Sequence, residues 1–258
     1  MTTIELIALV RSGVAEIALE RNREVLGNGS AFLVDRGLVT NSHVIRPPGQ
    51  IDAFRIRFED SDQPIRLLPE DFYNATSAES TESELDYAFV ELEEEEFEGR
   101  YRFCLGDNEE TRVGQNILFL GYPFGMPQLT AHMGYVSSIH EKNGKEIIQI
   151  DGSVNGGNSG GPLLSIDTGN VVGIITRAIT GIIEEEFNNL IIALQNNQKI
   201  LSQTKTVMQI GGFDPIQGIK VSQAAMEQIA RNLKRSANVG IGYAFSINPI
   251  RSHLENLA

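Results

Sequence analysis

Asp151-Gly-Ser-Val-Asn-Gly-Gly-Asn-Ser-Gly-Gly-Pro-Leu163 sets a single serine, Ser159, inside Gly157-Asn158-Ser159-Gly160-Gly161-Pro162. Glycines on both sides let the backbone take turns that a side chain would forbid, so a hydroxyl stands forward while backbone N–H groups converge beside it. An acyl-transfer nucleophile needs that arrangement: the hydroxyl must reach a carbonyl carbon, and the N–H groups of Gly157 and Ser159 must point to where the carbonyl oxygen becomes an anion. A hairpin that merely carries serine would look the same at this position alone. The two readings separate on whether partners for the serine occur elsewhere in the chain.

Working outward, Gly27-Asn-Gly-Ser-Ala-Phe-Leu-Val34 and Gly37-Leu-Val-Thr-Asn-Ser-His43-Val44 read as two short strands joined by a turn, with His43 just past the second. Asp86 opens the alternating stretch Leu85-Asp-Tyr-Ala-Phe-Val-Glu-Leu92. A serine is too weak a nucleophile alone at neutral pH. We therefore expect Ser159 as nucleophile, His43 as the base that takes its proton, and Asp86 as the group that holds the imidazole tautomer. The order His, Asp, Ser along the chain is that of the chymotrypsin-type proteases.

With Thr40-Asn-Ser-His43, Asp86-Tyr-Ala-Phe89 and Gly-Asn-Ser159-Gly-Gly-Pro in place, the chain resembles the trypsin-like serine proteases, closest to their HtrA/Deg branch. Leu105-Gly-Asp107, Arg112-Val-Gly114, Gly121-Tyr-Pro-Phe-Gly125 and Gly240-Ile-Gly-Tyr-Ala-Phe245 add to the resemblance, which covers residues 12–180 and 238–258. It implies an all-β fold of two six-stranded antiparallel β-barrels, an acyl-enzyme mechanism on protein or peptide substrates, and oxyanion donors at Gly157 and Ser159. Three further positions are carried over. Thr176 matches a site whose hydroxyl supports the aspartate, a plain strand threonine being the competing reading. Ser153, six residues before the nucleophile, occupies the pocket base without the carboxylate that selects Lys or Arg. Ile241 replaces a glycine on the pocket wall, so small aliphatic residues are expected before the cleaved bond. Asn158 stands where zymogen-type relatives carry an aspartate, so propeptide cleavage is not the expected switch.

Composition narrows the partners. A net charge of −13 disfavours nucleic acid and anionic membranes, whose phosphates would be repelled. No apolar run reaches the length of a bilayer span, and the N-terminus lacks the pattern of a secretory signal. Cys104 is the only cysteine, so no intramolecular disulfide forms and a cytoplasmic, reducing setting is expected, with Cys104 as a small buried residue. His132, His140 and His253 lack metal-ligand spacing, and neither metal nor cofactor is expected. The acidic runs Glu91–Glu98 and Glu184–Glu186 read as solvated faces.

Along the chain, residues 3–11 suit a short helix with Ile4, Ile7 and Val10 inward. Strands are expected at 14–19, 29–34, 37–41, 53–58, 65–67 and from 86, with 74–84 as a surface loop. A second set follows at 116–121, 130–139, 147–151, 160–165, 171–176 and 239–246. The chain departs from the family after Arg177. Phe187, Leu190, Ile191, Leu194 and Leu201 mark a helix over 184–201. Ser222 caps a second helix with Met226, Ile229, Ala230 and Leu233 on one side. The expected division is 1–105 for the N-terminal segment and first barrel, 106–180 with 238–258 for the second barrel and C-terminal helix, and 181–237 for a helical insertion. No PDZ-like segment follows the C-terminal helix. Regulation is expected through loop ordering or an activating partner at the insertion, and the resemblance allows an oligomer. Two alternatives stand beside a regulated intracellular protease: a catalytically silent scaffold or chaperone module, and a dedicated processing protease of a bacterial stress or immune system.

Overall fold

The computed structural model describes residues 1–47, 49–61, 63–81, 83–107, 111–176, 181–203, 214–236 and 240–255. They form two compact units, Met1–Ala178 with Gly240–Ala258, and Ile179–Val239. Both β structures fall within the first unit.

The chain enters through α1 (Thr3–Val10), whose N-terminus is closed by a capping box between Thr2 and Glu5. Val10 is buried and Ile7 packs partly buried against the core as expected, while Ile4 points to solvent and Leu6 takes the inward place instead. Seven strands follow: β1 (Val14–Arg21), β2 (Glu24–Val34), β3 (Gly37–Thr40), β4 (Ala53–Phe58), β5 (Ile65–Leu67), β6 (Thr76–Ser80) and β7 (Tyr87–Glu91), in sheet order β5-β4-β1-β2-β3-β7-β6. The first half is thus an open seven-stranded half-barrel where six strands were expected. The extra strand, β6, lies in the stretch expected to be a loop; Thr-Ser-Ala-Glu-Ser carries no apolar alternation because it is an edge strand, held by its ladder to β7. Two short helices interrupt this sheet, α2 (Ser42–Ile45) directly after β3 and α3 (Pro69–Asn74) before β6.

The second half closes fully. β8 (Asn116–Gly121), β9 (Thr130–Lys142), β10 (Lys145–Asp151), β11 (Pro162–Ser165), β12 (Val171–Thr176) and β13 (Ile241–Ser246) form a barrel in the order β10-β13-β12-β11-β8-β9. Asn143 and Gly144, both at positive φ, make the tight turn between β9 and β10. Side-chain alternation assigns each strand two faces. Ala15, Ile17 and Leu19 of β1 join Leu33, Leu38, Phe54 and Ile56 inside the first sheet. Ile117, Phe119, Ile148, Ile150 and Leu163 fill the second barrel. Val14, Phe32, Leu118, Leu120, Tyr122 and Ile174 pack between the two, with Leu6 and Val10 of α1. Ile250 of the C-terminal helix α6 (Asn248–Glu255) belongs to the same cluster. This shared layer joins the two β structures.

Cys104 is exposed, contrary to expectation: the neighbouring Phe103 takes the inward position and packs edge-on to Phe32 and Tyr101. The second unit is a helical hairpin, α4 (Gly181–Gln203) and α5 (Pro215–Ser236). Ile191 and Leu194 are buried as expected, while Leu190 is exposed. The second helix begins eight residues earlier than expected. Asp214 caps it, accepting from the N–H groups of Ile216 and Gln217 at 2.9 and 3.2 Å, with Pro215 in the first turn; Ser222 is interior. That register exposes Met226 and Ile229 and buries Ala230, and Glu227 faces α4, accepting from Gln195 and Gln198. The described chain ends in α6 (Asn248–Glu255). No described helix is long and apolar enough to cross a membrane.

Candidate active site

His43 enters the site because β3 ends at Thr40 and the chain turns at once into α2. Asp86 lies before β7 at φ +50°, a left-handed conformation that aspartate tolerates better than most side chains. Its own backbone is fixed at both ends. The N–H donates to the carbonyl of Thr81 at 2.9 Å, and the carbonyl accepts from the buried amide of Asn41 at 2.8 Å. The carboxylate, 1% exposed, then takes two bonds from one residue: His43 N–H to Oδ1 at 3.1 Å and His43 Nδ1 to Oδ2 at 2.8 Å. An ionised carboxylate only accepts, so Nδ1 carries the proton and Nε2 is left as the basic nitrogen.

α2 is clamped from outside as well. Glu79 of β6 accepts from Ser42 Oγ at 2.6 Å and from Arg46 Nε at 2.8 Å, and the Arg46 guanidinium lies 4.6 Å from the centre of the Tyr73 ring. Tyr73 Oη donates to the carbonyl of Ile45 at 3.0 Å. The bond from Arg46, opposed by burial and aided by Ser42, holds the Glu79 carboxyl below the usual carboxylate range. A carboxyl depressed in the folded state contributes stability above its unfolded pKa of about 4.3, and that contribution is lost as pH falls through the lower folded value. Glu79→Gln is therefore expected to melt below the wild type at pH 7, with the gap closing below about pH 4; thermal unfolding of both chains across pH 3–7 checks it.

The serine turn joins β10 to β11 and is held by barrel closure. Asn158 N–H donates to Asn155 O at 3.0 Å, Gly160 N–H to Ile175 O at 2.8 Å and Gly161 N–H to Asn158 O at 3.0 Å. Gly157 and Gly160 take φ of +102° and +87°. A Cβ on Gly160 would stand 2.1 Å from the carbonyl oxygen of Ser30 and 2.3 Å from Thr40 Oγ1, so the turn lies directly against β2 and the end of β3. Ser30 makes the junction: its N–H donates to the Ser159 carbonyl at 2.7 Å, its hydroxyl donates to the Gly157 carbonyl at 2.7 Å and accepts from Tyr122 N–H at 3.0 Å. Ser159 is thereby carried to the strands that lead into His43. Its Oγ makes no hydrogen bond to His43, so of the three expected partners His43 and Asp86 are joined directly and Ser159 through the backbone.

The oxyanion donors are in a defined state. Phe124 N–H donates to the Gly156 carbonyl at 2.6 Å. In a trans peptide the C=O and the following N–H point opposite ways, so Gly157 N–H faces away from Phe124. Among the described residues neither Gly157 N–H nor Ser159 N–H has an acceptor. The Asn158 side chain is buried with neither amide atom paired among the described residues, a cost of about 1–3 kcal/mol per atom.

The remaining expected positions are placed as follows. Thr176 is buried at the end of β12, opposite Tyr243, and its hydroxyl does not bond to Asp86. Ser153 Oγ accepts from Gly240 N–H at 3.2 Å, beside Ile241, which is 47% exposed at the start of β13. Val154, fully buried, fills the space behind: a Cβ on Gly242 would come within 2.4 Å of its Cγ2. Ser30, Asn41, Glu79, Phe124 and Val154 were given no role in the sequence, although all but Glu79 lie inside quoted motifs. No cluster suited to a metal ion occurs among the described residues.

Comparison with known proteins places the chain in a family. The chain is 31% identical over 160 residues to a probable periplasmic serine endoprotease, DegP-like, of Chlamydia pneumoniae, covering 59% of this chain and 29% of the relative. It is 31% identical over 201 residues to the chloroplastic Protease Do-like 5 of Arabidopsis thaliana, covering 69% of this chain and 56% of the relative. The solved HtrA-type protease AlgW with tripeptide superposes with a TM-score of 0.55 at 25% identity, over 68% of this chain and 54% of that one. The chain thus spans about half or less of the lengths of these proteins. Their names place two of them in the periplasm and the chloroplast and lend nothing to a cytoplasmic setting. The family model described as the trypsin-like peptidase domain matches residues 29–174, more than half of the sequence, and the protein belongs to that family.

Proposed function

We propose that the chain is a serine endopeptidase acting through Ser159, His43 and Asp86. The observation that carries this is the pair of hydrogen bonds from His43 to one carboxylate, which leaves Nε2 as the basic nitrogen, while Ser30 of β2 anchors the Ser159 turn. His43 takes the Ser159 proton as Oγ attacks the substrate carbonyl, and returns it to the leaving amine. Gly157 N–H and Ser159 N–H receive the oxyanion, and water completes hydrolysis of the acyl-enzyme. Ser153 and Ile241 bound the pocket for the residue before the cleaved bond, and an isoleucine wall over a serine base favours Val, Ala, Ile or Leu there.

The neutral Asn158 gives a newly cut N-terminus no charge to pair with, so control falls to loop ordering or a partner engaging the 181–237 insertion. Such control fits a regulated protease, or one dedicated to a single substrate. A single cysteine favours a reducing, cytoplasmic compartment.

The missing Oγ to Nε2 bond favours a second reading, a silent trypsin-like scaffold. Fluorophosphonate labelling separates the two. Label on the wild type and none on Ser159→Ala, with peptide-library cleavage after small aliphatic residues, is the expected result; an unlabelled wild type establishes the scaffold, and cleavage after Lys or Phe rejects the pocket assignment.

A further inference from the structure

Glu16 is a carboxylate buried in β1 between Val14 and Ala18, two buried apolar residues of the same strand face. Ala15 and Ile17 beside it point into the first sheet, and Glu16 faces the opposite way, 3% exposed, toward the layer shared with the second barrel. An isolated charge there would be very costly. Arg57, directly across in β4, meets it at 3.0 Å, and Arg55 approaches at 3.6 Å. Such a buried group is poor evidence for stability, since apolar side chains of similar size would pack as well. What distinguishes Glu16 is its second oxygen, which accepts from Asn28 Nδ2 at 3.5 Å, the long limit of a hydrogen bond.

The same Asn28 nitrogen donates to the main-chain carbonyl of Tyr122 at 3.1 Å. Ser30, two residues along β2 and on the same face, accepts the Tyr122 N–H. Both polar groups of Tyr122 are therefore gripped by β2. The held carbonyl lies against the oxyanion turn: a Cβ on Gly157 would stand 2.1 Å from Tyr122 O and 3.1 Å from Asn28 Nδ2. Two residues on, Phe124 N–H fixes the Gly156 carbonyl. Residues 122–124 are thus the template against which the Gly156–Gly157 peptide is set.

We propose that Asn28, oriented by Glu16, is a positioning residue that keeps this peptide in the state able to bind an oxyanion. The proposal rests on the endopeptidase reading above. An amide can turn over and exchange its oxygen for its nitrogen; facing an anionic oxygen and a carbonyl together, only the NH2 end is attractive. Glu16 selects that orientation. With the amide reversed or absent, the Tyr122 carbonyl is repelled or unheld, segment 122–124 shifts, and the Gly156 carbonyl is free to rotate, taking the Gly157 N–H with it. Neither residue touches substrate.

The test compares the full chain with Asn28→Ala, Glu16→Gln and the double variant, using a peptide substrate with a small aliphatic residue before the cleaved bond and a peptide aldehyde of the same sequence. Asn28→Ala is expected to lower kcat about 10- to 100-fold at unchanged KM and to weaken the aldehyde by the same factor, since misplacing a donor by about 1 Å costs up to that much. Glu16→Gln is expected to act in the same direction, and the double variant to be no worse than Asn28→Ala, because one residue works through the other. A normal kcat in Asn28→Ala overturns the proposal, as does a rise in KM that accounts for the loss, or effects of the two substitutions that multiply. Glu16→Gln carries the same kcat and aldehyde test should Asn28→Ala not fold. A wild type that neither labels nor cuts overturns the endopeptidase reading and this proposal with it; a wild type and Asn28→Ala that label equally fast overturn the proposal alone.

Discussion

Replacing Asp86 by Asn is expected to lower kcat by about ten-thousand-fold while the chain folds and binds peptide as before. The size follows from what the carboxylate does to one ring. Both of its oxygens accept from His43, one from the backbone N–H and one from Nδ1, and this fixes the proton on Nδ1. An asparagine offers one oxygen and one NH2. If the oxygen keeps the backbone N–H, the NH2 faces Nδ1 and is satisfied only when that nitrogen is unprotonated, so the proton moves to Nε2, the atom that must be basic. The imidazolium formed during attack also loses its counter-charge. Folding should change little, because Asn tolerates the φ of +50° at this position and the Asp86 main-chain bonds to Thr81 and Asn41 do not involve its side chain. Steady-state kinetics with thermal unfolding checks both halves. A loss below about tenfold would mean that the ring is oriented by something other than Asp86.

The chemistry was legible in the sequence where it depends on local geometry. Gly157 and Gly160 announce a left-handed turn around Ser159, and His43 and Asp86 each sit at the end of a stretch with strand alternation. Ser222 was expected to cap the second helix; the stronger start signal is Asp214-Pro215, which caps it and leaves Ser222 inside. What did not show is the polar scaffold beneath the site. Ser30 reaches Gly157 across 127 positions, Asn28 reaches Tyr122 across 94 and Asn41 reaches Asp86 across 45. Such bonds leave no periodic trace, because each depends on strand pairing elsewhere. Glu16 is hidden for the same reason, its arginine partner being set by the register of β1 on β4. Strand β6 escaped notice because an edge strand needs only one ladder and buries little.

These supports have one physical consequence in common. The two halves of the site belong to different β structures, His43 and Asp86 to the half-barrel and Ser159 to the closed barrel, and the layer between them is bridged by backbone carbonyls meeting polar side chains of β2. Hydrogen bonds of fixed length and direction allow less sliding than apolar contacts across the same layer, whose attraction is non-directional. The unpaired amide of Asn158 works against that rigidity at the one point where the turn must be correct. A site assembled this way has its weak point in the Gly156–Gly157 peptide rather than in the His43–Asp86 pair.

Gly157→Ala is the direct probe of that point, and kcat is expected to fall by about 10²–10³-fold, the loss typical of one oxyanion donor. Two separate features forbid the methyl group. At φ +102° an L side chain is strained, and the new Cβ would stand 2.1 Å from the Tyr122 carbonyl oxygen, far inside contact distance. That oxygen cannot retreat freely, since the Asn28 amide and the Ser30 hydroxyl hold the residue that carries it. The turn must therefore move instead, and rotation of the 156–157 peptide breaks the bond from Phe124 and withdraws the Gly157 N–H. The His43–Asp86 pair has no part in this, so the pH dependence of kcat/KM should keep its wild-type shape while its height falls. Affinity for a peptide aldehyde should drop with kcat/KM, whereas binding of the amine-side cleavage product, which places no oxygen at these donors, should stay within about twofold. A variant that loses product binding in step with kcat would instead show that Gly157 shapes the substrate cleft, and the assignment of its N–H to the oxyanion would be withdrawn.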